Sequence, residues 1–96
     1  MRVEYTNQAL IDLRKISADS RAFGETVAAA VQARIRAVVA HIAERPEAAA
    51  PIAERPGMRV VPLIRYPYKI FYRVLDDRVR ILHIRHTARA PWTKKR

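Results

Sequence analysis

Two strand-like runs separated by a three-residue turn constrain this chain more than any other feature. Tyr68 to Leu75 and Val79 to His86 are rich in β-branched and aromatic residues, and Asp76-Asp77-Arg78 between them reads as the turn. Alternation puts Tyr68, Ile70, Tyr72 and Val74 on one face of the first run and Lys69, Phe71, Arg73 and Leu75 on the other. In the second run it puts Val79, Ile81, His83 and Arg85 on one face and Leu82, Ile84 and His86 on the other. Both faces are apolar enough to predict central positions in a sheet. A further strand, Met58 to about Ile64, precedes them and contains Pro62, which interrupts it or places it near an edge. Tyr66-Pro67 makes the intervening turn. The expected result is a three-stranded antiparallel meander.

The rest of the chain supplies what such a sheet packs against. Residues 2 to 5, Arg-Val-Glu-Tyr, alternate as a short strand. Thr6 or Asn7 can cap a helix, because a side-chain oxygen there accepts from the unpaired N–H groups of the first turn. That helix is expected to run to about Ser17, with Ala9, Leu10, Leu13 and Ile16 inward and Asp12, Arg14 and Lys15 outward. Ser17 to Ser20 reads as a break, and Gly24 lets the chain turn. A longer helix follows over about Glu25 to Glu44, where Val27, Val31, Ile35, Val38 and Ile42 recur every three or four residues. His41 within it reads as a surface or partly buried residue. Residues 45–57 form a connector, since Pro46, Pro51 and Pro56 prevent a continuous helix. The fold class is therefore α+β, with an N-terminal strand, a helical hairpin and the meander. A single domain over 1–96 is expected, with a basic tail at 90–96 that includes Trp92.

Charge narrows the partners. Nineteen basic against nine acidic residues leave a net charge of +10, and much of the excess interrupts the apolar runs of the meander. A sheet so charged is expected to meet a polyanion, whether nucleic acid or an acidic protein segment. Half the residues are hydrophobic, which excludes wholesale disorder. The chain has no cysteine, which rules out disulfide and thiolate chemistry and fits a reducing compartment. The beginning of the sequence lacks the long apolar run of a signal peptide, and no stretch approaches the roughly 18 apolar residues of a membrane span. A soluble, cytoplasmic protein with no membrane partner is expected.

The sequence lacks metal-ligand, dinucleotide and Ser-His-Asp signatures, and its two glycines provide no phosphate-cradling loop. No cofactor or metal is expected. What remains is arginine, which can clamp a phosphate, and histidine, which moves protons near neutral pH. Such a set could support RNA cleavage through the 2′-hydroxyl, with His83 or His86 as base and Arg59, Arg65 or Arg89 stabilising the phosphate. The same residues could equally bind an acidic protein surface without reaction.

Three segments carry a resemblance: Gly57-Met58-Arg59, Tyr66 to Val74 (YPYKIFYRV) and Ile81 to Arg89 (ILHIRHTAR). Together with the Ala9, Asp12, Leu13, Ile16 pattern they resemble the RelE/ParE toxins of type II toxin–antitoxin systems, over nearly the whole chain. The resemblance implies a small basic toxin neutralised by a cognate, usually acidic antitoxin, whose complex binds operator DNA. It implies one of two activities, ribosome-dependent mRNA cleavage (mRNA interferase, RelE-like) or inhibition of DNA gyrase (ParE-like). Growth inhibition and plasmid stabilisation go with either. Arg59 and Arg89 match family arginines, and His86 a late histidine of some RNA-cleaving relatives. No lysine cluster precedes Arg59, and Trp92 stands where a tyrosine would follow Arg89. These departures favour the ParE-like branch. If the chain is an enzyme, it is a metal-independent endoribonuclease with Arg59, His86 and Arg89 as catalytic residues. Arg65, Lys69, Arg73, Arg85 and Trp92 are expected to contact target or antitoxin. A third alternative is a non-toxic relative that only binds antitoxin and operator.

Overall fold

The computed structural model describes residues 1–87. Strand β1 (Arg2–Tyr5) leads into helices α1 (Asn7–Arg21) and α2 (Glu25–Glu44), followed by β2 (Ala50–Pro51), β3 (Met58–Pro62), β4 (Tyr68–Val74) and β5 (Arg78–His86). The strands form one sheet in the order β1-β5-β4-β3-β2, in which β1 runs parallel to β5 and every other pairing is antiparallel. The meander and the helical hairpin stand as the sequence predicts. The two-residue β2, drawn from the proline-rich connector, does not follow from its composition. It pairs with Arg59 and Val60 and so covers the outer side of β3. β3 ends at Pro62, short of the expected Ile64, because proline has no N–H to continue the ladder.

Thr6 joins β1 to α1. Its Oγ1 accepts from Ala9 N at 3.1 Å as the N-cap and donates to Leu82 O at 2.9 Å, while its backbone N–H reaches Ile81 O at 3.0 Å. The helix start is thereby fixed on β5. α1 continues to Arg21, past the break expected at Ser17, because burial of Ile16 and Ser20 outweighs the weak helix preference of the serines. Its buried stripe is Ala9, Asp12, Ile16 and Ser20, which corrects two assignments. Leu10 is 40% exposed, and Asp12, expected outside, is 9% exposed. In α2 the buried stripe is Ala28, Val31, Ile35, Val38, Val39 and Ile42, whereas Val27 is exposed. By length and composition α2 is apolar enough to cross a membrane, contrary to the expectation that no stretch approaches a span. Six of its residues are buried in the core.

The core lies between the hairpin and one sheet face, where Ile16, Val31, Ile35, Val39 and Ile42 meet Ile70, Tyr72, Val79, Ile81 and Ile84. Burying each large side chain contributes about 1.5–3 kcal/mol. A second cluster of Ile52, Met58 and Phe71, flanked by Val60 and Leu82, occupies the opposite face under the connector. Simple alternation assigned Ile84 to the face away from Val79 and Ile81, and the structure corrects this. Phe71 pairs with His83 and Tyr72 with Ile81, so Leu82 is the extra residue of a bulge and the face parity of β5 switches there.

Candidate functional site

The sheet face away from the helices gathers cations from three strands. The register sets Lys69 opposite Arg85, Arg73 opposite Arg80, Glu4 opposite Arg80, and Arg2 opposite Arg78. Residues paired this way share a face. At the turn end the charges are matched. Glu4 Oε1 accepts from Arg78 Nε at 2.7 Å and Arg80 Nε at 3.0 Å, and Asp77 binds Arg78 at 2.8 Å and Arg2 at 3.1 Å. The hydrogen bond from Arg78, then that from Arg80, holds the Glu4 carboxyl below the usual carboxylate range. At the other end Lys69 makes no ion pair among the described residues. Arg73 lies over the turn before β3, with Nη1 3.3 Å from Pro56 O. Gly57 in that turn has φ +84°, and a Cβ there would stand 2.7 Å from Arg73 Nη1. The turn therefore needs glycine both for its backbone angle and for the guanidinium packed on it.

Beyond Tyr5 the strand beside β5 has ended, and a carboxylate takes its place. Asp12 Oδ2 accepts from Ile84 N at 2.8 Å and from His83 Nδ1, and Oδ1 accepts from Gln8 Nε2 at 2.9 Å. Arg85 Nη1 stands 3.2 Å from His83 Nε2. Arginine only donates, so Nε2 is the acceptor and the imidazole proton sits on Nδ1, toward Asp12. The chain Asp12–His83–Arg85 thus runs from α1 through the sheet end to the cationic face. A hollow of about 70 Å³ adjoins it, bordered by Lys15, Asp19, Tyr68 and His86. His86 meets the Tyr68 ring edge-on, with centroids 5.4 Å apart.

The residues singled out from sequence fall into separate places. Arg59 Nη1 donates to Ala49 O at 2.7 Å and Glu47 O at 3.2 Å, while the neighbouring Tyr72 hydroxyl donates to Pro46 O at 2.6 Å. Together they clasp the connector after α2. Arg59 pairs across from Tyr72 and His86 across from Tyr68, four residues apart along β4 and on opposite sides of it. The offset is roughly 13 Å along the strands and ~9.6 Å across them. His86 borders the hollow beside Asp12, and Arg59 does not. Arg65 lies on the β3–β4 connection against α2. Lys69, Arg73 and Arg85 do share the outer face. Arg89, Trp92 and the tail at 90–96 lie outside the described residues. Asp12 is the residue sequence reasoning missed. Its signal was an acid on the same helical stripe as Ala9 and Ile16, where an apolar residue would be expected.

A family model described as the ParE toxin of the type II toxin–antitoxin system parDE matches residues 3–91. Among solved structures the chain is similar to the chromosomal ParDE toxin–antitoxin system of P. aeruginosa, at 27% identity and a TM-score of 0.75, covering 90% of this chain and 95% of that one. It is similar in fold to the isolated RelE toxin of E. coli, with 20% identity, a TM-score of 0.68 and coverage of 93% and 86%. The toxin–antitoxin complex RelBE of E. coli gives 20% identity, a TM-score of 0.70 and coverage of 92% and 98%. No curated protein sequence matches the chain.

Proposed function

The chain belongs to the ParE toxin family of type II toxin–antitoxin systems, and on that premise we propose that it is a cytoplasmic toxin that inhibits DNA gyrase without catalysing a reaction. A cognate antitoxin, usually acidic, neutralises it, and the complex binds operator DNA. The observation that carries this reading is the position of Arg59. Its guanidinium is engaged by the carbonyls of Glu47 and Ala49, across β4 from His86 and four residues along it. A phosphate held by Arg59 would lie out of hydrogen-bond reach of a base at His86. The cationic outer face, with Lys69 and Arg85 opposite each other, offers instead a broad surface for an acidic partner.

Ribosome-dependent mRNA cleavage is the second reading, and one observation favours it. His83 is oriented by Asp12 with Nε2 beside the Arg85 guanidinium, an arrangement able to accept a proton near a bound phosphate.

Titrating the purified protein into a DNA gyrase supercoiling reaction, alongside a translation reaction reading mRNA integrity, separates the two. Supercoiling is expected to fail with mRNA intact. Lys69→Glu should raise the half-inhibitory concentration about 5- to 10-fold, with a weaker dependence on salt than the parent shows. Intact supercoiling with cleaved mRNA would move the assignment to the ribonuclease. No effect in either reaction would leave only antitoxin and operator binding.

A further inference from the structure

Arg78, Arg80 and Arg85 all project from β5, but they are held in different ways. Arg78 and Arg80 each donate to Glu4, at 2.7 and 3.0 Å. A carboxylate fixes a guanidinium and offsets its charge at the same time. Arg85 Nη1 instead lies 3.2 Å from the ring nitrogen Nε2 of His83. A neutral imidazole nitrogen accepts the hydrogen bond and takes none of the charge. The difference matters because Lys69 stands directly opposite Arg85. Like charges so placed repel, and a long cationic side chain then needs an anchor to stay on the face.

His83 is itself held from behind. Its side chain is 13% exposed, and Nδ1 donates to Asp12 Oδ2. The Asp12 side chain, 11% exposed, also accepts from Ile84 N at 2.8 Å and from Gln8 Nε2 at 2.9 Å. Donors on α1 and β5 thus fix the carboxylate, and the carboxylate fixes the proton on Nδ1. The ring then presents Nε2 as an acceptor. The bulge at Leu82 sets His83 and Arg85 two residues apart on the outer face, opposite Phe71 and Lys69. A proton on Nε2 would set two donors against each other there.

We propose that His83, locked in its Nδ1–H form by Asp12, is a positioning residue that fixes the Arg85 guanidinium on the outer face for an acidic surface of the target. The proposal rests on the reading of that face as the target surface and names what prepares it. A guanidinium fixed before contact loses less side-chain freedom on binding, and this anchor leaves its charge intact for the partner. The role competes with that of a base, since the Nε2 lone pair given to Arg85 cannot at once take a substrate proton.

Two substitutions of His83 separate positioning from support. Asparagine carries an amide N–H near the place of Nδ1, so His83→Asn keeps a donor for Asp12 and offers Arg85 no acceptor. Glutamine carries its amide one carbon further, so His83→Gln sets a carbonyl oxygen near the place of Nε2. The full chain is titrated into the gyrase supercoiling reaction, with circular dichroism and Tm establishing that each variant folds. Arg85→Ala is expected to raise the half-inhibitory concentration about 10-fold, and His83→Asn about 5- to 10-fold, while His83→Gln stays within about 3-fold of the parent. The double variant His83→Asn/Arg85→Ala should match Arg85→Ala alone within about 2-fold, because a shared interaction is lost only once. Nitrogen-15 NMR of the parent ring, which needs no variant, is expected to show Nδ1 protonated and Nε2 bare. A proton on Nε2 would overturn the proposal. Parent-like inhibition by His83→Asn beside a weakened Arg85→Ala, or losses that add in the double variant, would overturn the positioning role and leave the target face standing. Messenger RNA cleavage by the parent that both His83 variants abolish would make His83 a base and overturn it as well. Parent-like inhibition by Arg85→Ala, or no inhibition by the parent, would overturn the target face and the positioning role with it.

Discussion

Asp12 receives three hydrogen bonds at a position that sequence patterning assigns to solvent. The reason is geometric. β5 outlasts β1, so the N–H of Ile84 needs an acceptor that no strand supplies, and a carboxylate one turn into α1 reaches it. Asp12→Ala would leave that N–H and His83 Nδ1 without acceptors in a largely dry site. It is expected to cost about 2–4 kcal/mol in urea unfolding; a loss near zero would mean that water substitutes for the carboxylate. Tyr72 gives the pH signature. Burial pushes its phenol above its ordinary value, opposed in part by Arg59. Between the unfolded value near 10 and the higher folded one, the native state holds the proton that the unfolded chain has lost. Stability is therefore complete below about pH 10 and falls as pH rises through the folded value. Tyr72→Phe should flatten that alkaline decline and, through loss of the bond to Pro46 O, lower stability at neutral pH by about 1 kcal/mol. An unchanged alkaline decline would assign it to other groups.

Elements in this fold are tied together at their ends. The start of α1 is fixed because Thr6 caps the helix and bonds β5 at once, so helix and sheet share one residue's hydrogen bonds. Thr6→Ala removes both, and a loss of about 1–2 kcal/mol is expected, with increased hydrogen exchange in the first turn of α1. Thr6→Ser keeps the hydroxyl and should recover most of it; equal losses in the two variants would mean that the methyl group, not the oxygen, matters. The bulge at Leu82 is the second device of this kind. It lets Ile84 join the core begun by Val79 and Ile81. α2 shows the opposite relation of pattern to structure. Its limits, Glu25–Glu44, are those its periodicity predicts, because a twenty-residue amphipathic run between glycine and proline leaves few alternatives.

At the scale of the whole molecule, cations from β1, β4 and β5 share the outer sheet face, and α2 keeps apolar surface that the fold leaves unburied. Much of this was legible in the chain. Apolar residues spaced by two or by three to four, with the glycine and proline stops, determined the α+β class and the strand–hairpin–meander order. Those signals are local or additive, so neighbours in sequence suffice to read them. The candidate site was less legible, because its decisive contacts join residues far apart. Asp12 meets Ile84 across 72 positions, and Arg59 is drawn from phosphate-binding candidate to clasp of the connector by carbonyls 10 and 12 residues away. The sequence by itself determined which elements form and what charge they carry. Only the tertiary structure decided which face Ile84 joins, where Asp12 is buried and which cations remain for a partner, because packing and unsatisfied backbone groups, rather than local period, assign those places.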